Sequence, residues 1–370
     1  MAELSPGHLQ GLRVAVTGAS GNVGTALLRR LTDPAHGIAE VRGLARRRPP
    51  GTAPYTGVDW HLADLGEQAS EEDLARALDG VDAVVHLAWA LQPGRQPERL
   101  HAVNVDGTYR VARAAARAGV AHVVHMSSLG AYAAGARDQE VREDWPVTGI
   151  PSSQYSRDKS SAERVVRQVL GHRPETTLTV VRPTLVLQPE AASEIGRYFL
   201  GPLLFAAARA LPGPVAQVLP LPLPALRVGF VHADDVADAI VRILDRRAPG
   251  PFNLAAEPTL DADGLARALG TRRIPVPAVV LRAALAAAYA AHLVPTEPGW
   301  LDLGLGAPSL DTTRARTQLG WAPEQAGDDV LRRFVEALGR GEGAPGPLLR
   351  PAGGPSRDPA GDPANVPGGS

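Results

Sequence analysis

Tyr155 and Lys159 are the two residues of this chain whose types and spacing most directly predict chemistry. They stand four positions apart in YSRDK, so on a helix both side chains project from one face about one turn apart. A phenol with an ordinary pKa near 10 is protonated at neutral pH, and a nearby cation favours phenolate, which makes the group usable as an acid or a base. The pair therefore predicts proton transfer at one site.

Lys159 is the only lysine in the sequence, and arginine or histidine provides every other basic side chain. With six tyrosines among 370 residues, a lone lysine seldom falls four positions after one of them by chance. Arginine would keep the positive charge but present a broad planar fork in place of a compact ammonium. The position therefore indicates lysine chemistry, and the alternative is a surface lysine that pairs with Glu163.

Ser127 and Ser128 lie at the end of the strand predicted in HVVHMSS. A hydroxyl there could donate a hydrogen bond to the carbonyl or hydroxyl oxygen of a substrate. Because serine is common where strands end, this prediction depends on the neighbouring motifs.

A glycine-rich turn from Thr17 to Gly24 follows the first predicted strand and opens the first predicted helix. Glycine there allows a tight turn and a close approach to a pyrophosphate, while free amides at the helix start bind phosphate charge. This position between strand and helix favours dinucleotide binding over a merely structural turn. The predicted cofactor-binding residues of the turn are Gly18, Ser20, Gly21, Asn22, Val23 and Gly24.

Arg46 and Arg47 bear on which dinucleotide binds, because they end the second predicted strand, EVRGLAR. An acidic residue there takes the ribose hydroxyls of NAD, whereas arginine accommodates the 2′-phosphate of NADP. No carboxylate is present, and a guanidinium fork suits a phosphate. We therefore favour NADP over NAD, and the alternative is that these arginines belong to a solvated loop.

Strands alternate with helices through the first half of the chain, the pattern that builds a doubly wound parallel sheet. We therefore predict an α/β fold, a Rossmann-type doubly wound parallel sheet with a smaller C-terminal substrate lobe. The predicted NAD(P)-binding Rossmann domain spans residues 10–189 and returns at about 229–256. The lobe takes residues 190–228 and 257–338, and a Gly/Pro-rich tail at 339–370 is predicted to be disordered.

The formal net charge of −1 gives no field for collecting nucleic acid or anionic lipid, so a small molecule is the predicted partner. The lack of cysteine excludes disulfides, thiol nucleophiles and thiolate metal sites. The first residues lack a basic stretch followed by an apolar run, so we expect a cytoplasmic location. His86, His125 and His232 lack metal-ligand spacing and are predicted to be satisfied core histidines, so no metal site is predicted.

One segment, Val276 to Val294, approaches the roughly 20 apolar residues that span a bilayer. It is mostly alanine and contains Arg282 and His292, which are costly in lipid. A buried or lobe-covering helix is the preferred interpretation, so we predict no membrane insertion.

Together these features resemble the extended short-chain dehydrogenase/reductases, specifically the NAD-dependent epimerase/dehydratase family. The resemblance covers roughly residues 12 to 325. Its motifs in this sequence are VTGASGNVG, ADL, VVHLAW, NVDGTYRVARAA, HMSSLGAY, YSRDK, VRPTLVL, FVHADDVADAI, FNLA and LDTTRARTQLGWAP.

The resemblance implies a role for each matching residue. Ser128 would orient the substrate oxygen, Tyr155 would donate or accept the proton, and Lys159 would bind ribose. The other residues assigned to the dinucleotide are Asp64 and Leu65 at the adenine, Leu87 and Ala88 along its path, Asn104, and Arg182 and Pro183 near the nicotinamide. Family members often form homodimers through two helices, which here follow Asn104 and Ser153.

The sequence does not decide between two chemical classes of substrate. Members of the family that bind nucleotide sugars tend to carry arginine two residues before the Phe of F-V-H, but Val228 occupies that position here and Arg227 precedes it. The lobe before it is strongly apolar, which leaves room for a hydrophobic ketone or alcohol.

We therefore predict an NAD(P)-dependent oxidoreductase or epimerase that transfers hydride at a carbinol or carbonyl carbon of a small substrate. One alternative is a nucleotide-sugar epimerase/dehydratase with tightly bound NAD. The other is a dinucleotide-binding sensor without catalysis.

Overall fold

The computed structural model describes residues 8–91, 95–136, 139–199 and 220–352. Its strands, in chain order, are β1 (Arg13–Thr17), β2 (Glu40–Ala45), β3 (Asp59–Leu62), β4 (Ala83–His86), β5 (His122–Met126), β6 (Glu140–Val141), β7 (Thr177–Pro183), β8 (Leu185–Leu187), β9 (Leu221–Leu223), β10 (Arg227–His232), β11 (Gly250–Leu254), β12 (Ala256–Asp261), β13 (Arg273–Pro275) and β14 (Ser309–Leu310). Its helices are α1 (Asn22–Leu31), α2 (Ser70–Leu78), α3 (Pro97–His101), α4 (Gly107–Arg117), α5 (Gln154–Leu170), α6 (Ala233–Arg246), α7 (Ala262–Ala268), α8 (Ala278–Ala290), α9 (Pro298–Gly306), α10 (Thr313–Leu319) and α11 (Gly327–Arg340).

The main sheet has seven parallel strands in the order β3-β2-β1-β4-β5-β7-β11. Every residue of β4 and β5 is buried, as expected when helices cover both faces of a parallel sheet. The strand order reverses between β1 and β4, and the crevice at the carboxyl ends of the strands there is where open α/β sheets bind ligands. The predicted Rossmann-type doubly wound sheet is confirmed.

The two faces of the sheet follow from the alternation of side chains along each strand. In β1, Val14 and Val16 belong to the hydrophobic cluster that includes residues of α1 and α6. Ala15, between them, belongs to the cluster that includes residues of α2, α4 and α5. One layer of helices therefore covers each face.

The region predicted to return to the main sheet does so only in part. β11 pairs with β7 in the main sheet, whereas β10 pairs with β8 and β12 in a separate three-stranded sheet. Phe230 of β10 packs with Leu260 and Phe334 in the core of the lobe. Residues 200–219 of the predicted lobe lie outside the described residues.

Residues 341–352, called the C-terminal segment below, follow α11 and pack against the preceding fold. Leu349 is fully buried in a cluster with Ala191 and Ala344. This differs from the predicted disordered tail, because the glycines and prolines form turns that bury a leucine. Residues 353–370 of that predicted tail lie outside the described residues.

The alanine-rich segment forms α8, which has 13 residues and none of them buried. Arg282 of α8 forms an ion pair with Asp302 of α9, with 2.8 Å between Nε and Oδ1. Among the described residues, no helix is long and apolar enough to cross a membrane.

Candidate active site

The glycine-rich turn joins β1 to α1 at the crevice. Gly18 has a φ of +69°, and a Cβ there would lie 2.7 Å from the backbone nitrogen of Ala88. A Cβ on Gly24 would lie 2.3 Å from the carbonyl oxygen of Gly18, so only glycine allows this packing. α1 begins without a side-chain cap and without an acidic residue in its first turn. Within the described residues its first amides therefore have no side-chain partner, which is the arrangement that binds phosphate.

A cleft that is partly open to solvent adjoins this turn. The cleft is lined by Thr17, Gly18, Ser20, Leu44, Ala45, Arg46, Arg47, Ala63, Asp64, Leu65, Ala88, Trp89, Ala90, Val103, Pro347 and Leu348. The structure thus places seven of the predicted cofactor residues along one cleft, namely Gly18, Ser20, Arg46, Arg47, Asp64, Leu65 and Ala88.

Two predicted cofactor residues, Asn104 and Asn22, do not line the cleft and bind backbone groups through their side chains. The amide of Asn104 accepts a hydrogen bond from the backbone N–H of Ala90 at 2.7 Å and donates to its carbonyl at 2.9 Å. The Asn22 amide donates to the carbonyl of Val186 at 2.9 Å. Val23 and Leu87 pack against the hydrophobic core beneath the cleft. We therefore expect these residues to act by positioning the cleft.

Arg182, predicted to lie near the nicotinamide, is buried and binds protein groups. Its guanidinium is 1% exposed and forms an ion pair with Glu163, and it also donates to the Tyr132 hydroxyl at 2.7 Å. Ser127 donates to the same Glu163 carboxylate at 2.8 Å. The fork of Arg182 is therefore occupied by a buried carboxylate, and its predicted position near the nicotinamide stays a prediction. Pro183 ends β7 and pairs in register with Leu254.

Tyr155 and Lys159, the predicted catalytic pair, lie in the first two turns of α5. The Ser153 hydroxyl caps this helix by accepting from the Ser156 N–H at 3.4 Å. The Tyr155 ring packs against Gly130, where a Cβ would lie 2.9 Å from ring atom Cε1. The Ser128 side chain acts on the Tyr155 phenol closely enough to lower its pKa. Ser128 follows β5, so the end of a central strand and the start of a helix bring these two side chains near each other.

Lys159 is buried, with 3% of its surface exposed. Its Nζ donates to the carbonyl of Met126 at 3.0 Å, lies 3.5 Å from the centroid of the Trp89 ring, and lies 5.8 Å from the centroid of the Tyr155 ring. Glu163 instead pairs with Arg182 and Arg167. The alternative of a surface lysine paired with Glu163 is therefore wrong.

Burial determines the proton affinities of the pair. It raises the pKa of Tyr155 to about 12, although the hydrogen bond from Ser128 acts in the opposite direction. Burial also lowers the pKa of Lys159 to about 7, while the charge of Glu163 opposes the change. We expected a nearby cation to favour the phenolate, but the ammonium lies over Trp89 and desolvation of the phenol dominates. Without a further positive charge, Tyr155 is therefore an acid at neutral pH.

Aromatic rings surround the Tyr155 phenol. The Trp300 ring of α9 lies 4.8 Å from it between centroids, and the Trp89 ring lies 5.9 Å away in an edge-to-face arrangement. Phe199 lies 4.9 Å from Trp300. None of these three aromatic residues is predicted from the sequence to belong to the site. Trp89 directly follows the predicted dinucleotide path at Ala88, whereas Trp300 and Phe199 come from distant segments without a local pattern.

The predicted core histidines are buried, but not all of them are satisfied. His86 is hydrogen-bonded to Thr17 at 2.7 Å and to Thr108 at 3.0 Å, and burial lowers its pKa to about 3. His232 accepts from the N–H of Asp234 and caps α6. Neither ring nitrogen of His125 has a hydrogen-bond partner within the described part of the chain. No group of potential metal ligands occurs among the described residues.

Comparison with known proteins identifies the family to which this chain belongs and several of its relatives. A sequence model of the NAD dependent epimerase/dehydratase family matches residues 14–255. UDP-glucose 4-epimerase of Mycolicibacterium smegmatis is 28% identical over 338 residues, which cover 88% of this chain and 98% of that enzyme. An uncharacterized protein of Mycobacterium tuberculosis is 29% identical over 338 residues, or 88% of this chain. This chain spans only 30% of the length of that relative.

The fold is similar to that of a solved enzyme. A double mutant of the dTDP-glucose 4,6-dehydratase from Streptomyces venezuelae, crystallised with NAD and DAU, superposes with a TM-score of 0.65. The superposition covers 88% of this chain and 96% of that one, with 23% sequence identity. At this identity, the similarity supports the fold.

Proposed function

Because this chain belongs to the NAD-dependent epimerase/dehydratase family, we propose that it is an NAD(P)-dependent oxidoreductase or epimerase. It would transfer hydride at a carbinol or carbonyl carbon of a small substrate. The observation that carries this proposal is that Tyr155 and Lys159 both contact Trp89, which lines the cleft of the glycine-rich turn, with Ser128 next to the phenol. A nicotinamide dinucleotide, when bound, supplies or accepts the hydride.

The residues of the cleft fit such a cofactor. Gly18 and Gly24 pack too closely for any side chain, and the first amides of α1 beside them would bind the pyrophosphate. Asp64 and Leu65 line the part of the cleft assigned to adenine. Lys159 would hold ribose, and this requires the Trp89 ring to leave its position over the ammonium.

Tyr155 and Ser128 would handle the proton and the oxygen. A phenol whose pKa is near 12 holds its proton at neutral pH, so it can donate to an oxygen that gains negative charge as a carbonyl is reduced. Ser128 would donate to the same oxygen and fix its position. In the direction of oxidation, the positive charges of Lys159 and of an oxidised nicotinamide would favour the phenolate.

Two substrate classes are consistent with the relatives and with the side chains near Tyr155. The match to nearly the whole length of UDP-glucose 4-epimerase favours a nucleotide sugar with retained NAD. The aromatic side chains of Trp300 and Phe199 near Tyr155, together with Val228 in place of arginine, favour a hydrophobic ketone or alcohol. A homodimer through α4 and α5 and a cytoplasmic location remain predictions from resemblance and composition.

The function is tested by cofactor capture followed by a substrate screen. Mass spectrometry of the purified protein would identify a retained dinucleotide, and binding of added NADH and NADPH would be measured by quenching of tryptophan fluorescence. Turnover would then be measured on a panel of nucleotide sugars, ketones and secondary alcohols. Retained NAD with sugar turnover identifies an epimerase or dehydratase, and exchangeable NADPH with ketone reduction identifies a reductase.

Two outcomes would count against the proposal. Binding of neither dinucleotide would exclude the proposed cofactor chemistry. Dinucleotide binding without turnover on the whole panel would favour the non-catalytic sensor.

We expect the double substitution Arg46→Ala and Arg47→Ala to weaken NADPH binding about tenfold or more, with a much smaller effect on NADH. The reason is that guanidinium groups at the end of β2 would bind the 2′-phosphate that NADH lacks. Titration of both dinucleotides into each protein checks this. Arg48→Ala is the matched control, because its guanidinium donates to the carbonyl of Trp60 at 3.2 Å and does not line the cleft. Equal weakening of both dinucleotides would show that these arginines do not select NADP.

A further inference from the structure

We propose that the C-terminal segment, residues 341–352, forms part of the dinucleotide site and slows release of the cofactor. The segment lies beyond the residues that match the family, which end at 255. This proposal rests on the proposed function, since it assigns a second role to the same cleft.

Pro347 and Leu348 supply one wall of the cleft. They line it together with Gly18 and Arg47, which come from the carboxyl ends of β1 and β2. The Cδ1 atom of Leu348 lies 4.0 Å from the position that a Cβ on Gly21 would take. An apolar side chain is therefore in van der Waals reach of the turn proposed to hold the pyrophosphate.

Three contacts fix this wall in place. Leu349 is fully buried and packs with Ala191 and Ala344. Arg197 donates to the carbonyl of Arg350 at 3.1 Å and to that of Leu348 at 3.4 Å. The N–H of Ala344 donates to the carbonyl of Leu349 at 2.6 Å, which closes a tight loop.

A further contact ties the segment to α1. Gly346 packs against Tyr55, and a Cβ at this glycine would lie 2.5 Å from the phenol oxygen. Tyr55 is 2% exposed, and its hydroxyl is hydrogen-bonded to that of Thr25 in α1 at 3.3 Å. The segment is thus held against the helix whose first amides would bind phosphate.

This packing has a consequence for exchange of the cofactor. A dinucleotide bound along the cleft would contact Pro347 and Leu348 on one side and the glycine-rich turn on the other. Loosening the anchor at Leu349 would remove that wall without changing the turn. The dissociation rate of the dinucleotide should therefore depend on a residue that does not itself line the cleft.

The test compares full-length variants by stopped-flow dissociation of NADH and NADPH. Leu349→Asp places a charge in the buried anchor, and we expect the dissociation rate to rise at least tenfold. Leu348→Ala removes only the side chain at the cleft, and we expect a rise of about threefold to tenfold. Leu293→Asp adds the same charge at a leucine that is 69% exposed, and it should leave the rate unchanged.

A second measurement follows the segment itself. The chain contains no cysteine, so Pro345→Cys, at an exposed position, attaches a fluorophore at one known site. We expect its emission to change when NADH is added, and to respond less in the Leu349→Asp background.

The outcomes separate this proposal from the proposed function. If the unsubstituted chain binds neither dinucleotide, the proposed function fails. If it binds one of them, dissociation rates of Leu348→Ala and Leu349→Asp within twofold of the unsubstituted chain would overturn the role of the segment. Should Leu349→Asp fail to fold, the rate of Leu348→Ala and the fluorophore response decide.

Discussion

Tyr155→Phe is expected to lower kcat by about 10²- to 10⁴-fold on the substrate found by the screen, while the dissociation constant of the dinucleotide changes by less than about threefold. The substitution removes the hydroxyl that exchanges the proton and keeps the ring between Gly130 and Trp300. Steady-state turnover and a dinucleotide titration on the same protein measure the two effects.

Tyr109→Phe is the matched control, because this tyrosine lies on α4 and is 43% exposed. It should retain full turnover. The assignment of Tyr155 would be overturned by a Tyr155→Phe protein that turns over its substrate at the unsubstituted rate.

Lys159→Met is expected to abolish most activity, by about 100-fold or more, and to make the chain without cofactor more stable at low pH. The loss follows from removal of the charge near Tyr155 and of the group proposed to hold ribose. The gain follows from burial of Lys159, which lowers its pKa from 10.5 to about 7. Activity and stability would therefore move in opposite directions.

The pH dependence of the free energy of unfolding shows whether the buried ammonium of Lys159 causes the gain in stability. Between about pH 7 and pH 10.5 the unfolded chain holds a proton on Lys159 that the folded chain has released, so the unsubstituted protein becomes more stable as pH rises through this window. Each tenfold change in proton affinity is worth about 1.4 kcal/mol. Below pH 7 the folded state holds a buried ammonium, so the methionine variant gains most there.

Urea unfolding of both proteins near pH 6 and pH 9 measures this difference. We expect an advantage for Lys159→Met of about 2 kcal/mol near pH 6, because the Met126 carbonyl loses its donor and cancels part of the gain. Near pH 9 we expect no advantage, because the unsubstituted chain gains about 2 to 3 kcal/mol between the two pH values. Arg164→Met, at an exposed position of α5, controls for loss of a cation from the helix. A difference between Lys159→Met and the unsubstituted chain that is the same at both pH values would contradict this account.

The local features of the site are predictable from sequence because they depend on short spacings. The turn from Gly18 to Gly24 needs only a strand before it and a helix after it. Tyr155 and Lys159 need only a helix to share one face. The structure confirms the α/β fold and brings Tyr155, Ser128 and Lys159 together.

Features that depend on contacts between distant segments are not predictable in this way. Arg182 is the second-last residue of β7, and Glu163 of α5 binds its guanidinium. No spacing in the sequence predicts that ion pair. Trp300 reaches Tyr155 from a segment 145 positions later. The composition of the C-terminal segment favours disorder, but Leu349 of that segment packs in a buried cluster.

Because the one lysine is buried under Trp89, its chemical reactivity measures how often the indole uncovers it. A lysine-directed acylating reagent that labels a side-chain amine has only Lys159 to react with. Because that amine is 3% exposed and covered by Trp89, the yield of labelled peptide over time measures how often the indole moves away. The same protein with and without a dinucleotide would then reveal, by mass alone, whether the ribose position is filled.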